Sequence, residues 1–247
     1  MIKNRIYKSE LIDWGKEKVF REGQAKQRLD DLFFDYIKLA KKLQPKVVIA
    51  ENVKGMIQGN AKAYVKKIKT EFEDAGYKVQ LFLLNAASMG VPQKRERVFF
   101  ICRRKDLNLP KITIDFNEAP IKLGDFINSE HGKPLPTNGK LYSDWLQRKP
   151  RDKNHGDINL RTENKQNNFG RVLISKEQYA PTIVSGNLYI YHNEFKEVSN
   201  EDSCQIGTFP MDYNFEKVDV KYLIGMSVPP VMMAQIAYEI YLQWLRN

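Results

Sequence analysis

Hydrophobic and polar positions follow two periods along this chain, and the helical one appears first. Leu29, Leu32, Phe33, Tyr36, Ile37, Ala40 and Leu43 recur three and four residues apart, which predicts an amphipathic helix over 29–44. Asp30 and Asp31 open it, Lys41 and Lys42 close it as the helix dipole favours, and Pro45 stops it. In residues 46–50, Lys46 leads into Val47, Val48, Ile49 and Ala50, a continuously apolar and largely β-branched run, the pattern of a buried strand in a parallel sheet. A second amphipathic helix is expected over 61–75, with Tyr64, Val65, Ile68 and Phe72 inward and Gly76 as its C-terminal cap. Residues 79–84 and 97–102 read as strands, with the loop 85–96 between them. Helix, strand, helix, strand, strand is the second half of an α/β sheet.

Past residue 110 the texture changes. Short apolar pieces alternate with Gly, Pro and Asn until a closing helix over 229–245, whose apolar face holds Met233, Ile236, Ala237, Ile240, Tyr241 and Trp244. Three segments follow: 1–109 as α/β, 110–205 as a small, irregular, β-rich domain, and 206–247 as a link and a helix returning to the first.

Composition narrows the classes. With 42% hydrophobic and 11% aromatic residues in 247, the chain can bury a core, so wholesale disorder is excluded. No apolar run reaches the ~18–20 residues of a membrane span, and no signal-peptide core is visible. Two cysteines and three histidines build neither a disulfide framework nor a zinc site of usual spacing. The expectation is a cytoplasmic protein without metal or membrane partner. The formal charge of +10 favours an anionic partner, with nucleic acid foremost. Residues 148–171 carry seven Lys/Arg against three acids, interleaved with Asn and Gln. They suit either a solvated loop or a DNA-reading loop, since Arg matches guanine edges and Asn or Gln match adenine edges.

Two stretches carry candidate chemistry. Glu51 follows a buried strand, where open α/β sheets bind ligands, so it is a candidate acid or base; a helix cap or loop ion pair is the alternative. In the loop and strand that follow, Gln93, Arg95 and Arg97 alternate and are expected to share one face. Two guanidiniums there suit phosphate oxygens or a base carbonyl, and a solvated edge is the alternative.

With these residues in view the sequence resembles the DNA (cytosine-5) methyltransferase family. Glu51-Asn52-Val53 looks like its sixth conserved block and Gln93-Lys94-Arg95-Glu96-Arg97 like its eighth. Arg171 with Ala180-Pro181-Thr182-Ile183 is similar to its ninth, and residues 207–213 to the segment that follows. Gly225-Met226-Ser227-Val228-Pro229-Pro230 and the closing helix resemble its tenth. The blocks keep the family's order over about 12–107 and 170–247.

The resemblance implies a Rossmann-like S-adenosylmethionine-dependent methyltransferase domain, of which this is the C-terminal half, plus a target-recognition domain for double-stranded DNA. Glu51 would contact and protonate N3 of a flipped-out cytosine, and Arg97 would bond its O2, with Arg95 beside it. Asn52, Val53, Gln93, Arg171 and Thr182 would serve substrate and DNA binding. Leu32, Ser227 and Val228 would line the S-adenosylmethionine pocket. Met226 departs from the Asn usual there.

The family's Pro-Cys nucleophile and Gly-rich cofactor loop have no counterpart in this sequence. Cys102 and Cys204 follow no proline and read as structural. The expectation is therefore a subunit that shares S-adenosylmethionine with a partner chain carrying the N-terminal half, and that is inactive alone. An exposed sheet edge and an uncovered apolar face on the closing helix are expected with it. The alternatives are an inactive remnant of a broken gene and a non-catalytic DNA-binding module.

Overall fold

In the computed structural model, which describes residues 29–58, 62–127 and 129–246, the chain divides into two units. The first takes the chain up to residue 84 together with 96–112, and the second takes 85–95 together with 113–247. The side chains of Asp30 and Asp31, the position of Ala61, and the family resemblance before residue 29 lie outside the described residues.

In the first unit, helices α1 (Leu29–Leu43) and α2 (Lys62–Asp74) accompany a three-stranded sheet. Its strands are β1 (Val47–Val53), β2 (Tyr77–Asn85) and β3 (Glu96–Arg104), in the order β1-β3-β2. Alternation along the pleat sends Val48 and Ala50 of β1, with Val98, Phe100 and Cys102 of β3, into one core with Ile37, Ala40, Ile68 and Phe72 of the helices. Gly76, at φ +96°, turns the chain out of α2 into β2 where a side chain would be strained.

Three expectations change here. Strand β1 pairs antiparallel with β3, not parallel. A strand buried on both faces is continuously apolar in either direction, so the apolar run carried no information about its partner. The strand also runs on through Val53, so Glu51 lies within it and not in the loop beyond. The apolar stripe of α1 is divided: Ile37 and Ala40 are buried, while Leu32, Tyr36 and Leu43 are exposed.

The second unit centres on a sheet of order β4-β7-β6-β5, formed by β4 (Lys133–Pro134), β5 (Arg171–Ile174), β6 (Leu188–Tyr191) and β7 (Lys196–Glu197). β5 and β6 are parallel, with Arg171 opposite Leu188. One face, with Leu173 and Ile190, packs with Trp145 and Ile158 of helices α3 (Lys140–Leu146) and α4 (His155–Glu163). The other, with Ile174, Tyr189 and Tyr191, packs with Cys204 and Ile206 of α5 (Asn200–Ile206) and Ile224 of α6 (Val220–Met226). The expected irregular, β-rich region 110–205 thus carries three helices among its described residues, α3, α4 and most of α5, too short for a periodic stripe to announce them.

Helix α7 (Pro230–Ile240) and the π-helical turn after it group with the second unit. Met232, Ile236, Ile240 and Trp244 form its buried stripe, while Tyr238, Tyr241 and Leu245 are exposed. By length and mean hydropathy Val220–Leu245 passes as a membrane-span candidate, against the expectation that no stretch would. It is interrupted, however: Ser227 and Pro229 are extended and separate α6 from α7.

Candidate functional site

The register of β1 on β3 places Glu51 opposite Phe99 and Val53 opposite Arg97. Glu51 and Arg97 are therefore diagonal neighbours, on the face opposite the α1–α2 core, and at that spacing long side chains reach each other. Arg97 Nε meets Glu51 Oε1 at 3.0 Å, with the two side chains 13% and 28% exposed. Arg97 Nη1 donates to the Glu96 carbonyl at 2.9 Å, which fixes the plane of the guanidinium. Burial pushes the Arg97 guanidinium down from its ordinary value, and the Glu51 carboxylate pushes back; a guanidinium starts so far above neutrality that it stays cationic.

Neighbouring charges are kept out of this pair. Lys54 Nζ donates to both oxygens of Glu96, at 2.9 and 3.0 Å, so the adjacent carboxylate already has its cation. Asn52 Oδ1 accepts from the Val53 amide at 2.8 Å, and Val53 is exposed at the strand's end. Buried Met56 anchors the 3-10 turn Lys54–Ile57 that follows. The result is a carboxylate and a guanidinium side by side at the carboxyl end of a strand, half-open to solvent. Such a pair complements a planar ligand edge that sets donors beside an acceptor.

Gln93 and Arg95 have other partners. Among fully buried side chains Arg95 is the largest, at 1% exposure. Its Nη2 donates to the Gly225 carbonyl at 2.8 Å, and Nη1 makes a long 3.5 Å contact with the Ile183 carbonyl. Gln93 Oε1 accepts from the Ile183 amide at 3.4 Å. The segments they join are already close, because a methyl group on Gly225 would lie 3.1 Å from the Ser185 amide nitrogen and 3.3 Å from the Ile183 oxygen. The expectation that Gln93, Arg95 and Arg97 form one set of donors on one face is corrected. Strand alternation applies only from Glu96, where β3 begins. Before it the chain is an irregular loop tied to 180–183 by bonds such as Lys94 N to the Ala180 carbonyl.

The remaining candidates are placed as follows. Thr182 Oγ1 donates to the Lys94 carbonyl at 2.5 Å. Arg171 opens β5 and is half-buried. Ser227 caps α6, its Oγ donating to the Leu223 carbonyl at 2.6 Å, and Val228 is half-buried beside it. Met226 and Leu32 are both exposed. Cys102 and Cys204 are buried, and burial pushes both thiols up, away from the thiolate. Among the described residues no cluster of His, Cys, Asp or Glu is arranged to hold a metal.

The basic run 148–171 is partly structural. Arg148 stacks on Trp145 at 3.4 Å and bonds the Trp145 and His192 carbonyls, Arg161 pairs with Asp152 at 2.7 Å, and Lys165 pairs with Glu163 at 3.0 Å. The sequence signal for this is Trp145, three residues before Arg148, near enough for the turn that ends α3 to bring the two together.

The chain is similar to known DNA methylases. The family profile of the C-5 cytosine-specific DNA methylases matches residues 14–242. The type II methyltransferase M.NgoFVII of Neisseria gonorrhoeae is 29% identical over 241 residues, covering 85% of this chain and 62% of that protein. The type II methyltransferase M.FnuDI of Fusobacterium nucleatum is 54% identical over 78 residues, covering 32% of this chain and 23% of that protein. This chain therefore spans less than two thirds of either relative. A mutant of Spodoptera frugiperda DNMT2 superposes with a TM-score of 0.57 at 16% identity, covering 91% of this chain and 74% of that one; this likeness concerns the fold.

Proposed function

The chain belongs to the C-5 cytosine-specific DNA methylase family, and we propose that it supplies the cytosine pocket and the target-recognition region of a DNA cytosine-5 methyltransferase. The observation that carries this reading is the diagonal Glu51–Arg97 pair at 3.0 Å on the open end of β1 and β3. A cytosine presents its amino group and N3 beside its O2. The Glu51 carboxyl group matches N3 and the amino group, and the Arg97 guanidinium matches O2. Charge that builds on the ring when a nucleophile adds at C6 is then met by a proton or hydrogen bond at N3 and a fixed cation at O2. The base must leave the helix stack for both groups to reach it. Asn52 and Val53 shape the end of the same strand, and Thr182 and Arg171 contact DNA from the second unit.

S-adenosylmethionine would supply the methyl group. An exposed apolar Leu32 fits contact with an adenosyl ring, and Val228 beside the Ser227 hydroxyl fits an apolar group with a polar edge. Each of these residues is a candidate by its motif. The family's nucleophilic cysteine and Gly-rich loop have no counterpart among the described residues, and methyl transfer needs both. Its setting, by the type II names of its relatives, is restriction-modification in the cytoplasm.

Glu51→Gln tests the reading. In the enzyme assembled with a front half, methyl transfer to duplex DNA falls about 100- to 10,000-fold, as loss of a general acid predicts, while DNA affinity stays within about twofold. Equal loss of both would make Glu51 a binding residue. No loss of either would end the catalytic assignment.

A further inference from the structure

The parallel pair β5–β6 has two ends, and they differ in how their side chains are used. At the carboxyl end the polar groups are tied down: Arg148 to Trp145 and to the His192 carbonyl, His192 Nε2 against the Lys149 carbonyl at 3.1 Å, and Arg161 to Asp152. At the amino end two loops converge. Residues 164–170 lead into β5 and residues 184–187 lead into β6, and the register of Arg171 on Leu188 sets them side by side. Leu188 N donates to the Gly170 carbonyl at 2.8 Å, and a methyl group on Gly170 would lie 2.9 Å from Asn187 Oδ1.

The first loop is rigidly held and openly displayed. Asn164 and Asn168 take left-handed conformations, φ 54° and 58°, which Asn tolerates better than most residues. Buried Asn159 donates from Nδ2 to Asn167 Oδ1 at 2.7 Å, pinning the loop to α4. At its tip Phe169 is 49% exposed. Its ring lies flush on Gly156 of α4, where an added methyl group would come within 2.5 Å of Cδ1 and 2.6 Å of Cε1. The ring is half-exposed yet held in place, seated on the single residue type that lets it lie so close. Gln166 and Asn167 of the same loop and Val184 of the second are exposed as well.

We propose that Phe169 is a specificity-determining residue, pressed against the bases of the target duplex, with the amides of the two converging loops bonding base edges around it. The inference rests on the DNA-methyltransferase reading above. Its chemistry is that of an apolar wedge or thymine-methyl contact flanked by amides that suit adenine. The loops are poor in free cation: Lys165 is paired with Glu163, so they suit base contact better than phosphate neutralisation.

The test uses the full chain and a pool of duplex DNA with a randomised centre. Wild type should enrich one sequence class over the pool. Phe169→Ala should bind that class about tenfold more weakly, the cost of about one lost base-pair contact, and bind the unselected pool as wild type does. Gly156→Ala, which pushes the ring off its seat, should act in the same direction with Phe169 still present. Circular dichroism spectra and melting curves separate misfolded variants from informative ones, and Phe169→Leu replaces Phe169→Ala if the latter unfolds. If Phe169→Ala and Phe169→Leu keep wild-type selectivity, the proposal is overturned while the DNA reading stands. If wild type binds no duplex at all, the DNA reading fails and the proposal with it.

Discussion

Arg95 and Arg97 stand two residues apart in one motif, yet they belong to different regions that use charge in different ways. The loop that ends at Arg95 spends its polar groups on the protein: the guanidinium reaches the Gly225 and Ile183 carbonyls, and Gln93 accepts from the Ile183 amide. In the strand that follows, Arg97 keeps one bond to the carbonyl of its own neighbour Glu96 and offers its Nε to the Glu51 carboxylate at the open end of the sheet. A backbone carbonyl cannot be exchanged for a ligand without unfolding something, whereas an ion-paired side chain can turn to a ligand at little cost. Motif membership therefore does not separate supporting residues from reacting ones. The nature of the partner does.

Removing Arg95 should expose the difference most strongly. Arg95→Met keeps much of the volume and deletes two charge-assisted bonds, leaving the Gly225 and Ile183 carbonyls without their cation. Its expected cost is about 3 kcal/mol of stability, read as a lower urea midpoint at unchanged slope. If Arg95→Met melted like wild type while methyl transfer by the assembled enzyme vanished, Arg95 would be a reacting residue and the comparison would break.

Arg97→Gln should give the opposite pattern. The Glu51–Arg97 pair, at 13% and 28% exposure, sits between a surface and a buried pair, so its loss should cost about 1 to 2 kcal/mol of stability, less than the loss of Arg95. Activity should fall about 100-fold, near 2.7 kcal/mol of transition-state stabilisation. Kinetics of the assembled enzyme on duplex DNA, beside a melting curve, would report both numbers from one preparation. A variant that lost stability and activity in proportion would place Arg97 with Arg95 as a support.

The sequence made some of this legible. Apolar spacing located α1 and α2 and strands β1 to β3 within a few residues, because each buries one periodic face against a common core. The motif spacing singled out Glu51 and Arg97, and their contact follows from a register in which Val53 faces Arg97. The antiparallel sense of that pairing was not legible, since an apolar run is blind to direction. Nor was the separation of Arg95 from Arg97, because alternation holds only where the chain is a strand and β3 starts at Glu96. Phe169 gave no signal beyond one aromatic in an Asn-rich run. Its significance depends on Gly156, which lies thirteen residues earlier and reaches it only through the fold.

The smallest expected effect comes from a buried ionisable group of the second unit. His155 is fully buried, and both ring nitrogens are without hydrogen-bond partners among the described residues. Burial pushes its pKa below the ordinary 6.5, with a smaller opposing pull from Asp144. The unfolded chain then binds a proton more readily than the folded one below that pH. Stability should therefore be full above about pH 6.5 and decline as the solution is acidified toward the lowered value, by about 1 kcal/mol for each unit of displacement. Melting temperatures of wild type and His155→Leu across pH 5 to 8 check this: the variant should lack the component of the acid slope that wild type owes to the imidazole. If the two slopes coincide, the imidazole is accommodated in its charged form, and burial in the second unit would no longer mark a residue as purely supporting.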